Sequence, residues 1–386
     1  MNALDIILFV IFSLTQAWIT RRLLRAAARK WKDPALFAAR CAVGLFDAAL
    51  FFCYLLSYSD LASRMGLGGE RAEVLGACAL GYLLASAALV TLWLLLDRAR
   101  RHFARDADPG RRQAINLAGA ALMAAPIAAL GYGFVKRTDF HVREVDIPIS
   151  GLHPDLDGLR ILQISDIHLS PFLSERDLER VIDAATGIRA HVAAVTGDLI
   201  SSHSDPLDAC IRQLARVKAD AGVFGCMGNH ERYARVEAYT EAAAARVGIR
   251  FLRSRHQQLR FGDAVLNIAG VDHQSHAGHK PYLRGAERML VPGACNLLLS
   301  HNPDVFPVAA QQGYNFMLSG HTHGGQVTVE ILDQSINPAR FFTPYVYGLY
   351  RKSGSAAYVT RGIGTIGIPA RIGAPPEISV LRLRKA

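Results

Sequence analysis

An α+β chain in two parts is what this sequence predicts: four membrane-spanning helices over residues 1–136, then a mixed α and β domain over residues 137–386. Three observations carry that expectation. Four long apolar stretches lie in the N-terminal third, basic side chains cluster in the short segments between them, and from about Phe140 short aliphatic runs alternate with amphipathic ones. At 386 residues the chain can bury more than one core, which excludes a disordered polymer or a disulfide-stapled mini-protein.

The apolar stretches run from about Ala3 to Thr20, Cys41 to Tyr58, Val74 to Leu96 and Ala114 to Val135 (3–20, 41–58, 74–96, 114–135). As helices rising about 1.5 Å per residue, each reaches across most or all of a hydrocarbon core about 30 Å thick. Arg21, Arg22, Arg25, Arg29, Lys30, Lys32 and Arg40 follow the first stretch, and Arg98, Arg100, Arg101, Arg105, Arg111 and Arg112 follow the third. The segment after the second has only Arg64 and Arg71 against Asp60, Glu70 and Glu73. Basic segments stay in the cytoplasm, so the expectation is a multi-pass membrane protein whose C-terminal domain lies outside the cytoplasm; Lys136 and Arg137 oppose this weakly. Arg111-Arg112 before an apolar stretch also resembles a twin-arginine export signal, a pattern that ordinary positive-inside charge produces as well. Of the net charge of +10, +7 belongs to residues 1–140, so a membrane surface is the expected partner, and no nucleic-acid motif is present.

Asp47, inside the second stretch, reads as a ligand or proton site or, more simply, as calling for a polar contact on a neighbouring helix, Gln16 or Thr91. The six cysteines show no CxxC spacing and read as small buried residues.

Beyond Phe140, strands are expected at Arg160 to Ser165, Val192 to Thr196, Gly222 to Met227, Ala264 to Ala269, Asn296 to Ser300, Phe316 to Ser319, Ala357 to Thr360 and Ile378 to Leu383. Helices are expected at Glu175 to Ile188, Pro206 to Val217, Arg232 to Val247 and Pro303 to Gln311. Polar motifs follow five of the strands: Asp166-x-His168, Gly197-Asp198, Gly228-Asn229-His230-Glu231, His301 and Gly320-His321-x-His323. Loops at strand C-termini converge while the strands hold them rigid. Two carboxylates, one amide and five imidazoles in one place exceed what one ion needs, and nitrogen and oxygen donors without thiolate suit two divalent ions, Mn, Fe or Zn. Asp-x-His and His-x-His would turn both side chains to one face of an extended segment. Glycine before Asp198, Asn229 and His321 allows close backbone approach.

This ordered set resembles the calcineurin-like metallophosphoesterases over about Leu159 to Ile378. The resemblance implies a two-sheet β-sandwich flanked by helices, with Asp166, His168, Asp198 and His323 on one metal and Asp198, Asn229, His301 and His321 on the other. It makes His230 the catalytic histidine and not a ligand. Two cations would neutralise phosphate oxygens and lower the pKa of a bridging water towards about 7 to make the attacking hydroxide. The tail Tyr358-Val-Thr-Arg361-Gly362-Ile-Gly364 and Pro369-Ala-Arg371 is similar to a bacterial membrane-associated or exported branch that includes phosphodiesterases acting on lipid-sugar nucleotides. Arg361 then contacts substrate phosphate or pairs with an acidic group. His273, His276 and His279 read as a solvated, substrate-facing loop or a third metal site; that branch carries a second acidic residue where His273 follows Asp272.

The expected function is hydrolysis of a phosphodiester or pyrophosphate bond, with a phospholipid or lipid-linked nucleotide suiting an anchored enzyme. The alternatives are a phosphomonoesterase acting on phosphoproteins or small phosphates, and a membrane signalling protein with a regulatory phosphoesterase domain.

Overall fold

The computed structural model describes residues 3–58, 70–103, 109–275, 282–331 and 334–386. It divides into two compact units, Met1–Tyr132 and Gly133–Ala386. In the first, helices Ala3–Lys30, Asp33–Tyr58 and Glu70–Phe103 contain stretches long and apolar enough to cross a membrane, at Ile7–Arg29, Asp33–Leu56 and Val74–Ala99. Leu14, Phe37 and Leu45 are 67%, 69% and 72% exposed there, an outward apolar face that water penalises and hydrocarbon does not. The fourth expected span falls in the helix Pro109–Lys136, many of whose side chains lie outside the described residues. The structure therefore supports three apolar helices, not clearly four. Asp60, Arg64 and Arg105 also lie outside the described residues.

Asp47 meets the expectation of a polar partner in part. Its carboxylate accepts from Gln16 Nε2 at 2.7 Å and Thr20 Oγ1 at 2.8 Å, whereas Thr91 donates to the Ala87 carbonyl of its own helix. The cysteines divide: Cys210, Cys226 and Cys295 are buried free thiols, but Cys41 and Cys78 are exposed and Cys53 is intermediate. Small apolar side chains on a helix that presents its apolar face outward have no core to enter.

The second unit begins with a strand, His141–Ile149, ahead of the first one expected at Arg160 to Ser165. Its strands in chain order are β1 (His141–Ile149), β2 (Arg160–Ile164), β3 (Val192–Val195), β4 (Val223–Gly225), β5 (Ile249–Phe251), β6 (Arg255–Phe261) and β7 (Ala264–Gly270). They continue with β8 (Cys295–Leu299), β9 (Phe316–Ser319), β10 (Val329–Ile331), β11 (Gln334–Ile336), β12 (Gly348–Lys352), β13 (Ser355–Val359) and β14 (Glu377–Lys385). One six-stranded sheet has the order β1-β14-β2-β3-β4-β5 and the other β12-β13-β9-β8-β7-β6, with β10 and β11 paired apart. In the first sheet β2 to β5 run parallel, and in the second β7, β8, β9 and β13 do.

Alternation along these strands builds the layers. Ile161, Val192, Leu297 and Phe316 enter the core between the sheets, while their chain neighbours Leu162 and Ala193 pack on helices outside the first sheet, and Leu298 and Met317 on helix Phe306–Gln312 outside the second. With both faces buried, these strands read as unbroken apolar runs.

The expected helix Arg232 to Val247 is two helices, Asn229–Ala234 and Glu237–Arg246, because Arg235 takes a left-handed conformation at φ 57°. The helix expected at Pro303 to Gln311 is a 3₁₀ turn, Pro303–Val305, leading into Phe306–Gln312.

Candidate metal centre

Asp166, Asp198 and Asn229 follow the C-terminal ends of β2, β3 and β4, and His301 and His321 follow those of β8 and β9. Both sheets thus deliver polar residues to one edge. Asp166, His168 and His323 form one group whose donor atoms all lie within 4.8 Å of one another, and Asp198, His301 and His321 form a second. A third grouping, His168, Asp198 and His230, links them. Asp198 is the junction: its Oδ2 is 3.4 Å from His168 Nε2 and 3.0 Å from His301 Nε2. His323 Nε2 stands 3.5 Å from Asp166 Oδ1.

The loops that carry these residues are not extended segments with alternating side chains. Asp166, His168, Asp198, His321 and His323 themselves take positive φ, between 47° and 76°. Left-handed turns, not pleating, aim Asp-x-His and His-x-His, and non-glycine residues hold that conformation only where surrounding contacts over-determine it. Those contacts are visible. His321 N–H donates to Asp166 Oδ1 at 2.8 Å and His230 N–H to Asp198 Oδ1 at 2.9 Å. A Cβ on Gly320 would fall 2.0 Å from Asp166 Oδ2, and one on Gly228 2.0 Å from Asp198 Oδ1, so both glycines are required by close approach.

Outer partners fix each ring. His301 Nδ1 lies 2.7 Å from the Thr196 carbonyl, His230 Nδ1 2.7 Å from the Ser201 carbonyl and His323 Nδ1 3.3 Å from the Gly364 carbonyl. A carbonyl only accepts, so Nδ1 of His301 and of His230 carries a proton and Nε2 of each is turned to the site. Glu231, to which the sequence assigned no role, is fully buried and accepts from the N–H groups of Asp198, Leu199 and Gly228 at 3.0, 2.6 and 2.7 Å. It ties the Asp198 turn to the helix bearing Asn229 and His230. Nothing in the motif spacing distinguishes such a support from an ordinary helix-start carboxylate.

Burial pushes the Asp166 carboxyl above its ordinary range. Burial acts on Asp198 in the same sense, but the facing imidazoles of His301 and His230 and the hydrogen bonds from His168 and His301 outweigh it and hold Asp198 well below the usual range. Burial likewise disfavours charge on His301, and there the Asp198 carboxylate prevails and lifts it to about 10.

Arg361 sits at the edge of this centre with Nη1 donating to Glu377 Oε2 at 3.2 Å, its guanidinium 4.3 Å over the Tyr347 ring and its buried Nε without a partner. His273 is half-buried rather than solvated, its ring 5.6 Å from that of His321 and 6.0 Å from that of His301, while Asp272 pairs with Arg253 at 2.8 Å. His276 and His279 lie outside the described residues.

Divalent cations fit these residues. Asp166 Oδ2 and Asn229 Oδ1 are buried acceptors with no hydrogen-bond partner, beside two groups of imidazole and carboxylate donors. In a dry protein interior such acceptors carry a full desolvation penalty unless a cation or donor meets them.

Comparison with known proteins gives the family. The family model for calcineurin-like phosphoesterases matches residues 159–325. A transmembrane protein with metallophosphoesterase domain from Danio rerio is 31% identical over 361 residues, covering 90% of this chain and 77% of the relative. The uncharacterized metallophosphoesterase YkuE of Bacillus subtilis is 30% identical over 281 residues, 71% of this chain and 97% of the relative. With both relatives matched over most of their length, and with the paired donor groups on two mixed sheets, the chain belongs to the calcineurin-like metallophosphoesterases, metal-dependent hydrolases of phosphoric esters.

Proposed function

We propose that this chain is a membrane-anchored phosphoesterase of the diester or pyrophosphate class, with residues 1–136 crossing the membrane four times and residues 137–386 facing away from the cytoplasm. The observation that carries the chemistry is the meeting of two donor groups at the buried carboxylate of Asp198. In this reading Asp166, His168, Asp198 and His323 hold one divalent cation, and Asp198, Asn229, His301 and His321 the other. The donors are nitrogen and oxygen alone, which suits Mn, Fe or Zn.

Bound there, such cations neutralise phosphoryl oxygens and acidify a water for in-line attack. The chain's own residues supply the rest. Asp198 turns one oxygen, Oδ2, towards both donor groups, and His230, with Nδ1–H committed to the Ser201 carbonyl, would as an imidazolium give its Nε2 proton to the leaving oxygen. Arg361 is the proposed substrate contact through its guanidinium, of which Nη1 is held by Glu377.

Three apolar helices, the transmembrane relatives and the basic segments flanking the apolar stretches support the membrane placement. Only residues 137–140 separate the last helix from β1, which suits a phospholipid or another lipid-linked phosphate as substrate. Protease added to right-side-out vesicles is expected to remove the domain after residue 137; protection of that domain would reverse the orientation.

The chemistry is tested with the Mn-loaded full chain in detergent, offered a chromogenic phosphodiester and the matching monoester. The diester is expected to be hydrolysed with at least about tenfold higher kcat/KM, a difference of ~1.4 kcal/mol in transition-state stabilisation. Monoester preference would replace this reading with a phosphatase. Two bound ions with neither substrate cleaved would favour a regulatory domain.

A further inference from the structure

The turn from Thr360 to Glu377 follows the matched region 159–325, yet it forms a wall of the first donor group. Ile363 N–H donates to the Ser165 carbonyl at 3.0 Å and Gly364 N–H to the Asp166 carbonyl at 2.7 Å. The approach is backbone on backbone, since a Cβ on Gly364 would lie 2.1 Å from the Ile167 carbonyl oxygen. Behind this turn sits Arg371, 1% exposed and among the largest fully buried side chains of the protein.

Every hydrogen bond of that guanidinium to an oxygen goes to a carbonyl. Nε donates to Gly364 O at 3.1 Å; Nη1 donates to His323 O and Arg361 O, each at 2.8 Å, and to Ala374 O at 3.3 Å; Nη2 donates to Gly364 O. Among the described residues no carboxylate lies within ion-pair distance of Arg371. A buried charge with no carboxylate in direct contact is costly, so its fork of donors must serve the four carbonyls that converge on it.

Two of those carbonyls belong to the metal centre's frame. Gly364 O lies 3.3 Å and Arg371 Nη2 3.4 Å from His323 Nδ1, so both bear on that ring, and His323 O is the carbonyl of a residue held at φ 52°, followed by Gly324 at φ 60°. Removing Arg371 would free both the strained turn and the acceptor that aims its imidazole.

We propose that Arg371 is a positioning residue for the cation held by Asp166, His168 and His323: it fixes the Gly364 carbonyl and the His323 backbone so that His323 Nε2 faces Asp166. Arg371 touches neither the cation nor the substrate, and its effect is transmitted through His323. The inference rests on the two-cation reading above, and the test separates failure of one from failure of the other.

The test uses the full chain in detergent, titrated with Mn²⁺ and read by electron paramagnetic resonance with total metal by mass spectrometry. Wild type is expected to take up two ions. Arg371→Met should keep one of them at wild-type affinity and weaken the other by about 10- to 100-fold, the usual scale for losing an outer partner of a ligating histidine. Arg371→Lys, with the charge but not the planar fork, should fall between. The double variant Arg371→Met/His323→Ala should lose no more affinity than His323→Ala alone, because both changes act through one ring.

The retained ion in Arg371→Met reports that the domain is folded. Two ions at wild-type affinity in Arg371→Met, losses that add in the double variant, or simultaneous loss of both ions would each overturn the proposal. Fewer than two ions in wild type would overturn the two-cation reading and this inference with it.

Discussion

Asp198→Asn is expected to abolish turnover, lowering kcat/KM by about 10³-fold or more, equivalent to ~4 kcal/mol or more of lost transition-state stabilisation. The same variant should hold at most one divalent ion per chain. The reasoning begins with the turn after β3: Asp198 takes φ 55°, its N–H is held by the buried Glu231, and its side chain is 2% exposed. Oδ1 accepts the His230 N–H at 2.9 Å, while Oδ2 faces His168 and His301 at 3.4 and 3.0 Å. Those imidazoles keep the carboxyl anionic against the effect of burial. An amide in its place preserves shape but carries no charge, and with its oxygen kept on the His230 N–H it would put an NH2 where Oδ2 faces both groups. A neutral amide is a weak partner for two cations, and Asp166, in the first group, is then the one carboxylate left among the proposed ligands, so the second group has imidazole and amide donors only. Metal content and hydrolysis measured on the same preparation decide the matter. Asp198→Asn binding two ions and retaining activity within tenfold of wild type would remove Asp198 from the bridging position.

The contrast between what the sequence disclosed and what it hid has a physical pattern. Asp166, Asp198, Asn229, His301 and His321 were legible because each follows an apolar run that is buried on both faces, so the strand end is marked by an abrupt change to polar residues. Edge strands carry no such mark. β6 reads Arg-His-Gln-Gln-Leu-Arg-Phe with most side chains half-buried or exposed, and β1 is exposed over its first half, as edges that must resist further pairing tend to be.

The backbone of the site was hidden for a different reason. Positive φ at Asp166, His168 and His323 is imposed by tertiary contacts, and residue type alone argues against it. Glu231 and Arg371 were invisible as organisers because their partners are backbone groups, which leave no trace in side-chain spacing. The break at Arg235, which ends the short helix carrying Asn229 and His230, lies in a stretch whose composition favours one continuous helix.

His230→Ala is expected to lower kcat by about 10²- to 10⁴-fold, the range for a positioned general acid, while both ions remain bound. The expectation depends on which atoms of the ring are already engaged. Nδ1–H is committed to the Ser201 carbonyl at 2.7 Å, so proton transfer can occur only at Nε2. The ring is partly exposed, packed edge-on against His168 at 4.7 Å and Tyr233 at 5.6 Å, where a substrate oxygen can reach it. His168, Asp198 and His230 nevertheless lie close enough to hold an ion together, which defines the rival role of third ligand. Metal analysis of His230→Ala separates the two: loss of an ion together with activity would make His230 a ligand. If the ions stay, the leaving group identifies the kind of assistance. A general acid is needed most when the departing oxygen is strongly basic, so the deficit should shrink for a nitrophenyl ester and widen for an alkyl ester. An equal deficit for both esters would mean that His230 binds the phosphoryl group without donating a proton to the leaving oxygen.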